Sequence, residues 1–545
     1  VSNRFLAGDP GVPIHIDGHY VQNSTYIFQD FIDVERVEVL RGPQGTLYGR
    51  NSIGGSVNVI TKRPTEEFEA YVSANVGNFD KRLLQSVISG PLSDGLRGRF
   101  VVSDGKRDGY LENISPLGGQ DFRNSDYTSV RGSLEYNLAE NVMVTIGGHY
   151  FEDFGNTSVT QIINEITSIS PGFVDYRSLN NAQPNPSVSN PRKVRLNIGD
   201  DASNRAKGGF VDIDWDLGNM RFRSLSSYDD SSLSVFIDSD GSDVVTLHDN
   251  ATRSYETFSQ EFQLLSGADS ELTWILGVFY YDEDSAANES FDADNILVAG
   301  GPKTELEIFN GLESTALGVF GQMEYPLTDK LTIVGGLRYN KDKKSFVGSL
   351  FLPQFGLDAA RDDSDQWEKI TGKVGINYHI DDDVMLYASY TTGYKAGGYN
   401  TLVPVYNPET VKAFEAGLKG LWFEQTTKAS LSAFYYDYSD KQENERDPVL
   451  GINQITNAGA ATVWGLELEG TTRLFSALTV DASIAYLNAE YDTFDSEDGV
   501  NPQLGVQDLS GNRLPHSPKW KLHLGLQYEW DVRLGSINAR IDTAW

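Results

Sequence analysis

The chain has 545 residues, with 44 Lys and Arg against 77 Asp and Glu, which gives a formal net charge of −33. A nucleic-acid-binding protein needs a basic surface to neutralise phosphates, so this charge argues against a nucleic-acid partner. There is no cysteine, so neither a disulfide framework nor a thiolate metal site is available. Aromatic residues make up 11% of the chain, which fits a β-rich envelope protein and an acidic secreted β-protein about equally well.

The segment from Val34 to Lys62 carries the most specific pattern in the chain. Its first part alternates charged residues with Val and Leu, as expected for a strand between an apolar core and a polar wall. Glycines follow where the backbone must turn without a Cβ, and a short apolar run then predicts a second, buried strand. The residues that define this signature are Glu35, Arg36, Glu38, Arg41, Gly42, Pro43, Gly45, Tyr48, Gly49, Gly54 and Gly55.

From about Phe68 onward the sequence becomes a series of segments in which apolar and polar residues alternate, as in 331–340, 384–391 and 429–436. This period of two predicts strands whose faces meet different environments. We count about nineteen such segments. There is no apolar run of about 18 residues that would predict a transmembrane helix, but a membrane-spanning barrel strand needs only about 9–11 residues.

The connections between these strands alternate between short and long. Short turns are predicted at 92–95, 138–141, 217–219, 268–271, 327–330, 380–383, 423–426, 474–477 and 530–533. Longer polar connections are predicted at 108–125, 155–206, 230–252, 285–312, 345–365, 396–408, 440–458 and 491–517. This layout favours an up-and-down outer-membrane barrel with short periplasmic turns. A propeller would show blade repeats, and a sandwich of this size would divide into several domains.

The signature at 34–62 resembles the plug of TonB-dependent outer-membrane receptors. Residues 12–21, in which Asp17 and Gly18 precede an aromatic residue, are similar to another plug strand of that family. The resemblance implies an all-β fold: a transmembrane antiparallel β-barrel of the type with about 22 strands, with a small α/β plug inside the lumen. The expected domains are the C-terminal part of the plug at 1–66 and the barrel at 67–545.

The strand count and the chain ends predict a fragment. Single-chain bacterial barrels have even strand numbers, so about nineteen strands are not expected to close, and the family's strand number implies that about three are missing after Trp545. The signal peptide and the N-terminal box that contacts the TonB complex are also expected to be absent. A chain with these ends is not expected to transport by itself.

The resemblance also implies ion pairs between plug and barrel. Residues 408–419 and 465–470 are similar to family barrel strands that carry an inward Glu. In the family, plug arginines pair with such glutamates and hold the plug shut. The hypothesis is therefore that Arg36 and Arg41 meet Glu415 and Glu467. The alternative is that these charges are separately solvated in a watery lumen.

The function implied by the resemblance is energy-coupled import of a scarce ligand across the outer membrane, most often a ferric siderophore. The partners implied are the TonB complex, a small metal chelate and outer-membrane lipid, while the ligand-contacting residues stay unknown. Alternatives are import of cobalamin, an oligosaccharide or another metal chelate, and, less favoured, an ungated porin or an adhesin. No nucleophile elbow and no HExxH pair occurs in the sequence, so no enzyme activity and no resident cofactor or metal is expected.

Three other groups of residues each have a structural and a functional interpretation. Loop carboxylates at Asp282, Glu283, Asp284, Asp292 and Asp294 could hold calcium, but solvated loop charges are favoured. The tyrosines of segment 387–399 fit either a membrane–water girdle or stacking on a flat ligand. His15 and His19 are predicted to share one face of a strand, where packing or solvent exposure is favoured over metal binding.

Overall fold

The computed structural model describes residues 8–22, 33–116, 119–155, 189–197, 202–238, 247–293, 304–353, 356–401, 405–446, 453–457, 459–497, 504–533 and 535–545. Regular structure in these ranges consists of strands β1 to β29. None of the described residues forms a helix long and apolar enough to cross a membrane.

The strands are, in chain order, β1 (Ile14–Ile16), β2 (His19–Val21), β3 (Val34–Arg41), β4 (Gly55–Thr61), β5 (Glu69–Gly77), β6 (Lys81–Ser93), β7 (Leu96–Arg107), β8 (Glu112–Asn113), β9 (Ser125–Ala139), β10 (Val142–Asp153), β11 (Lys193–Val194), β12 (Ser203–Asp216), β13 (Met220–Asp238), β14 (Leu247–Ser266), β15 (Thr273–Ala293), β16 (Thr304–Thr328), β17 (Leu331–Leu352), β18 (Leu357–His379), β19 (Val384–Lys395), β20 (Glu409–Trp422), β21 (Thr427–Ser439), β22 (Gln442–Arg446), β23 (Asn453–Asn457), β24 (Ala460–Phe475), β25 (Leu478–Thr493), β26 (Asp495–Glu497), β27 (Val506–Asp508), β28 (Trp520–Val532) and β29 (Gly535–Ala544).

The first four strands form a small sheet in the order β2-β1-β4-β3, and the pairing is antiparallel except for β1 with β4. The 34–62 signature supplies β3 and β4, with the predicted glycine-rich connection between them. The plug was expected to be α/β, but its described part contains strands only, and residues 23–32 lie outside the described residues. Strand β4 ends at Thr61 and β5 begins at Glu69, on either side of the expected domain boundary.

Nineteen strands, β5 to β7, β9, β10, β12 to β21, β24, β25, β28 and β29, form one closed barrel. Consecutive strands from β5 to β29 pair antiparallel, with residue registers along each pair. The predicted number of about nineteen is therefore confirmed among the described residues. The strand order closes into a ring at β29 and β5, which contradicts the expectation that nineteen strands cannot close, although residue registers join the described strands only from β5 round to β29. An odd number gives the first and last strands the same direction, and parallel neighbours can also be joined by hydrogen bonds.

Strand β17 shows how the wall separates two environments. Arg338 and Asp342 are 2% and 1% exposed, whereas Leu337 and Tyr339, on either side of Arg338, are 66% and 36% exposed. Successive side chains of a strand point to opposite faces. Arg338 and Asp342 therefore face the lumen, and Leu337 and Tyr339 face outward, as the predicted alternation requires. Further along the strand the apolar Phe346 and Leu350 also face inward, at 1% and 2% exposure.

The short turns are found where they were predicted, but three of the long connections are not. Strands β13 to β18 are 19 to 25 residues long, about twice the length needed to span a bilayer. Much of the predicted loops 230–252, 285–312 and 345–365 is therefore strand, because polar alternation continues beyond the membrane band. Most of 155–206 lies outside the described residues.

The plug sheet lies inside the barrel, because its contacts reach wall strands around the ring. The contacting pairs include Asp33 with Arg99 of β7, His19 with Asp212 of β12, Asp9 with Lys344 of β17, Gly45 with Thr371 of β18 and Arg41 with Glu467 of β24. A plug that lay beside the barrel could not contact all of these strands. The enclosed sheet therefore occupies the lumen.

Candidate functional site: the plug–barrel interface

Arg41, the last residue of β3, reaches the barrel wall at β24. Its Nη1 lies 2.6 Å from Glu467 Oε2, and its Nη2 lies 3.4 Å from Glu469 Oε2. Although partial burial opposes it, the two carboxylates raise the pKa of Arg41. The side chain is still 62% exposed, and ion pairs of this kind contribute about 0–1 kcal/mol. One of the two predicted arginines thus meets one of the two predicted glutamates.

The other half of the predicted contact is absent. Arg36 binds two carboxylates of its own strand, Glu38 at 2.7 Å and Glu35 at 2.9 Å. Glu415 accepts a hydrogen bond from Tyr387 at 2.7 Å. The reason is the period of a strand: residues 36 and 41 are an odd number of positions apart, so their side chains leave opposite faces of β3. The prediction that Arg36 also pairs with the barrel is therefore wrong.

The signature glycines lie where the connection between β3 and β4 passes close to the wall. A Cβ on Gly45 would lie 2.5 Å from the Thr392 carbonyl oxygen, and one on Gly49 would meet the Arg338 guanidinium at the same separation. Gly49 also has a φ of 75°, which favours glycine. These residues let the plug backbone approach the wall more closely than any side chain would allow.

The remaining signature residues also have defined places. Gly42 and Gly55 have positive φ, Gly54 faces Val12, Pro43 contacts Gly393, and the Tyr48 hydroxyl accepts a hydrogen bond from Asn58 at 2.6 Å. Gly42 and Gly55 serve the turn geometry, Gly54 and Tyr48 pack within the plug, and Pro43 lies against Gly393 of the wall.

A buried group of charges that the sequence did not predict joins the plug to β15 and β17. We call Asp9, Arg50, Glu283, Asp342 and Lys344 the Asp9 cluster. Asp9 Oδ2 accepts hydrogen bonds from Lys344 Nζ at 2.8 Å and from Arg50 Nη2 at 3.0 Å. Arg50 Nε lies 3.4 Å from Asp342 Oδ1, an ion pair rather than a hydrogen bond. The five residues are between 1% and 4% exposed.

Tyrosines surround the Asp9 cluster and complete its contacts. Tyr394 donates a hydrogen bond to Asp342 at 2.6 Å, and Tyr281 donates one to Glu283 at 3.0 Å. Burial alone would raise the pKa of Asp9, but the positive charges of Lys344 and Arg50 outweigh it and hold that pKa well below its usual range. Asp9 is therefore a buried carboxylate that stays ionised because two cations face it.

A second buried ion pair fixes the plug near the short-turn end of the wall. Asp33 and Arg99 of β7 are 1% and 2% exposed in their side chains, and Arg99 Nε lies 2.7 Å from Asp33 Oδ2. Arg131 of β9 also approaches Asp33, at 3.6 Å. Removing one member of such a pair leaves a buried charge uncompensated.

The two plug histidines lie on different strands, which corrects the prediction of one shared strand. His15 belongs to β1 and His19 to β2, because the chain turns at Asp17 and Gly18, which both have positive φ. His19 Nε2 lies 3.0 Å from Asp212 of the wall. His15 is buried, and burial, followed by the positive charges of His19 and Arg338, lowers its pKa to about 3.

The structure gives no support to a calcium loop. Residues 282–284 lie within β15 rather than in a loop, and Glu283 faces inward while its neighbours are exposed. Carboxylates on opposite faces of a strand cannot converge on one ion. Asp292 is the second-last residue of β15, and Asp294 lies outside the described residues.

A different acidic group, Asp481, His523 and Asp542, does converge in the described barrel wall. Arg540 contacts both of its carboxylates at 2.9 and 2.7 Å, so one guanidinium already pairs with both of them.

The tyrosines of segment 387–399 divide between the two faces of β19 and its extension. Tyr394 and Tyr399 are 1% and 0% exposed and point inward. Tyr390 packs against Phe414 with ring centroids 4.8 Å apart. Tyr394 and Tyr399 are therefore not part of a membrane–water girdle, whereas Tyr390 packs against an outer ring, since Phe414 is 54% exposed.

Family comparisons agree with this architecture. Residues 5–56 match the TonB-dependent Receptor Plug Domain, and residues 164–544 match the family described as TonB dependent receptor-like, beta-barrel. The chain belongs to the TonB-dependent receptors. Its barrel therefore lies in the bacterial outer membrane, with the plug in the lumen.

Individual relatives are similar over nearly the whole chain. A pesticin receptor of Yersinia enterocolitica is 26% identical over 98% of this chain and 73% of its own length. The ferric-pyoverdine BN7/BN8 receptor of Pseudomonas putida is 23% identical over 92% of this chain and 62% of its own length. Among solved structures, the ferric yersiniabactin uptake receptor FyuA from Yersinia pestis has a TM-score of 0.78 at 20% identity, covering 98% of this chain and 77% of that one.

Proposed function

We propose that this protein imports a ferric siderophore across the outer membrane, with energy supplied through the TonB complex. The observation that carries the proposal is the enclosed plug: a wide barrel would leak without one, and a pore that is closed by a separate sheet needs a step that opens it. Several relatives are named as receptors for ferric siderophores, which supports a metal chelate as the cargo.

The nature of the interface supports a movable plug. Its described contacts include many ion pairs and hydrogen bonds, such as Asp9 with Lys344 and Asp33 with Arg99, beside small apolar clusters such as that of Val21 with Phe151. Polar contacts can be exchanged for water when a plug shifts, whereas a large apolar interface would lose its hydrophobic stabilisation as a whole. In the proposed mechanism the chelate binds on the long-loop side, the TonB complex pulls on a box N-terminal to the plug, and a path opens along the wall.

Iron uptake by intact cells tests this proposal. A strain that lacks the gene and its full-length complement are supplied with ferric chelates of catecholate, hydroxamate and mixed type under iron limitation, and uptake of radioactive iron is measured. Loss of uptake for one chelate in the deletion strain, restored by the complement, is the expected result. Equal uptake of every chelate by both strains, together with a growth defect on cobalamin or an oligosaccharide, would show that the cargo belongs to another class.

An ungated pore or an adhesin is the alternative from a different class. A planar-bilayer recording of the purified full-length receptor separates them, because a plugged barrel conducts little. A stable, large conductance without denaturant or ligand would contradict a gated importer.

A further inference from the structure

The Asp9 cluster divides its charges between the moving and the fixed part of the molecule. Asp9 and Arg50 belong to the plug, while Glu283, Asp342 and Lys344 belong to the wall. Within the plug, Asp9 and Arg50 bind each other at 3.0 Å. A plug that leaves the wall therefore carries away a carboxylate and a guanidinium as a pair, and their opposite charges compensate each other.

The wall then faces a specific problem at Lys344. Its Nζ binds Asp9 at 2.8 Å, and the side chain is 1% exposed. When Asp9 first moves away, before water has filled the space that it leaves, a buried ammonium group loses its closest partner, and an unpaired buried charge is strongly destabilising. Asp342 loses Arg50 at the same time but keeps the hydrogen bond from Tyr394 of the wall at 2.6 Å. Opening would therefore be costly unless the wall supplied Lys344 with a further carboxylate.

Glu283 is placed to supply that carboxylate. It is 2% exposed on the lumen side of β15, and the strand registers place Glu283, Ser314 and Lys344 in one buried row across β15, β16 and β17. Its two carboxylate oxygens accept hydrogen bonds from Tyr281 at 3.0 Å and from Ser285 at 2.9 Å, both on its own strand. Among the described residues, no plug residue donates a hydrogen bond to Glu283. The position of the Glu283 carboxylate is therefore fixed by its own strand and not by the plug.

We propose that Lys344 exchanges partners during opening: it binds Asp9 while the plug is seated and turns to Glu283 when the plug leaves. Asp9 is then the contact that holds the gate closed, and Glu283 is a positioning residue that lowers the cost of opening. This proposal rests on the proposed function only for the assumption that the plug moves. It also places the retaining contact in the buried cluster rather than at the exposed Arg41.

The urea dependence of ion conductance measures plug release without any ligand. Purified full-length receptor is inserted into a planar bilayer, and the urea concentration at which half of the channels open is recorded. We expect Asp9→Asn to open at lower urea than the wild type, because Lys344 loses its charged partner in the closed state. We expect Glu283→Gln to open at higher urea, because Lys344 then has no carboxylate partner in the open state.

Three further variants separate this exchange from general damage. Asp17→Asn is the control for Asp9→Asn, because Asp17 binds Thr61 within the plug, at 2.8 Å to its backbone nitrogen. Lys344→Gln is expected to open early, like Asp9→Asn, and to remove the effect of Glu283→Gln in the double variant. The proposal is overturned by an unchanged midpoint in Asp9→Asn, or by a Glu283→Gln effect that persists without Lys344. Because no cargo is used, these outcomes are independent of which ligand is imported.

Discussion

Arg41 and Glu467 come from segments 426 residues apart in the chain, yet their side chains meet at 2.6 Å across the lumen. The pair joins the end of the glycine-rich signature to the barrel wall. Its geometry is that of a strong hydrogen bond, but 62% of the Arg41 side chain and 28% of the Glu467 side chain stay exposed. Solvent screens such a pair, so the short distance between the two side chains does not imply a large contribution to stability.

We expect Arg41→Gln to weaken plug retention only slightly. An exposed ion pair contributes about 0–1 kcal/mol, and Glu469 lies beside Glu467 and repels it once the guanidinium is gone. Urea-induced opening in a bilayer checks this, with Arg36→Gln as the control, since the ion pairs of Arg36 with described residues are to Glu35 and Glu38 of its own strand. A loss of retention as large as that of Asp9→Asn would contradict the prediction.

Arg99→Met is expected to destabilise the plug strongly. It leaves the buried Asp33 carboxylate with only the more distant Arg131, and breaking a buried ion pair costs about 3–5 kcal/mol. Thermal unfolding with limited proteolysis of the plug measures the effect. Arg82→Met is the matched control, because the Arg82–Asp80 pair on the neighbouring strand has both side chains at least 60% exposed. Equal effects of the two substitutions would count against this account.

Gly45→Ala is expected to prevent full seating of the plug. The new Cβ would lie 2.5 Å from the Thr392 carbonyl oxygen and 3.1 Å from Gly393 Cα, and backbone atoms cannot move aside as a flexible side chain can. The predicted consequence is a raised conductance without urea. Gly335→Ala on β17 is the control, since nothing lies within 4 Å of the corresponding Cβ. A closed, wild-type-like Gly45→Ala receptor would refute the close approach.

The buried His15 predicts a pH dependence of plug stability. Its pKa is about 3 in the folded plug and 6.5 in the reference state, so between these values the unfolded plug binds one more proton. Stability therefore falls as pH decreases below about 6.5, by at most about 1.4 kcal/mol per pH unit. His15→Gln should remove this part of the slope.

The check is the unfolding midpoint of the plug between pH 4 and pH 7. His379→Gln, at an exposed position at the end of β18, serves as the control. An identical slope in the wild type and His15→Gln would show that the histidine does not stay neutral in the folded plug.

The sequence by itself determined the barrel, its approximate strand number, its short turns and the plug signature. These features follow from local rules: a period of two for strands with two environments, and glycine where the backbone turns. Local rules also limited the prediction. The expected ends of β13, β15 and β17 were too early, because the parts of these strands that extend beyond the membrane are rich in polar residues, as loops are.

Only the tertiary structure decided which charges meet. Asp9 and Lys344 are 335 residues apart, and nothing in either neighbourhood distinguishes them from solvated charges. The choice between Arg36 and Arg41 depended on which face of β3 met the wall. Burial is a property of the assembled barrel and plug. For that reason the exposed pair could be anticipated from a motif, whereas the buried cluster became visible only when the two parts were placed together.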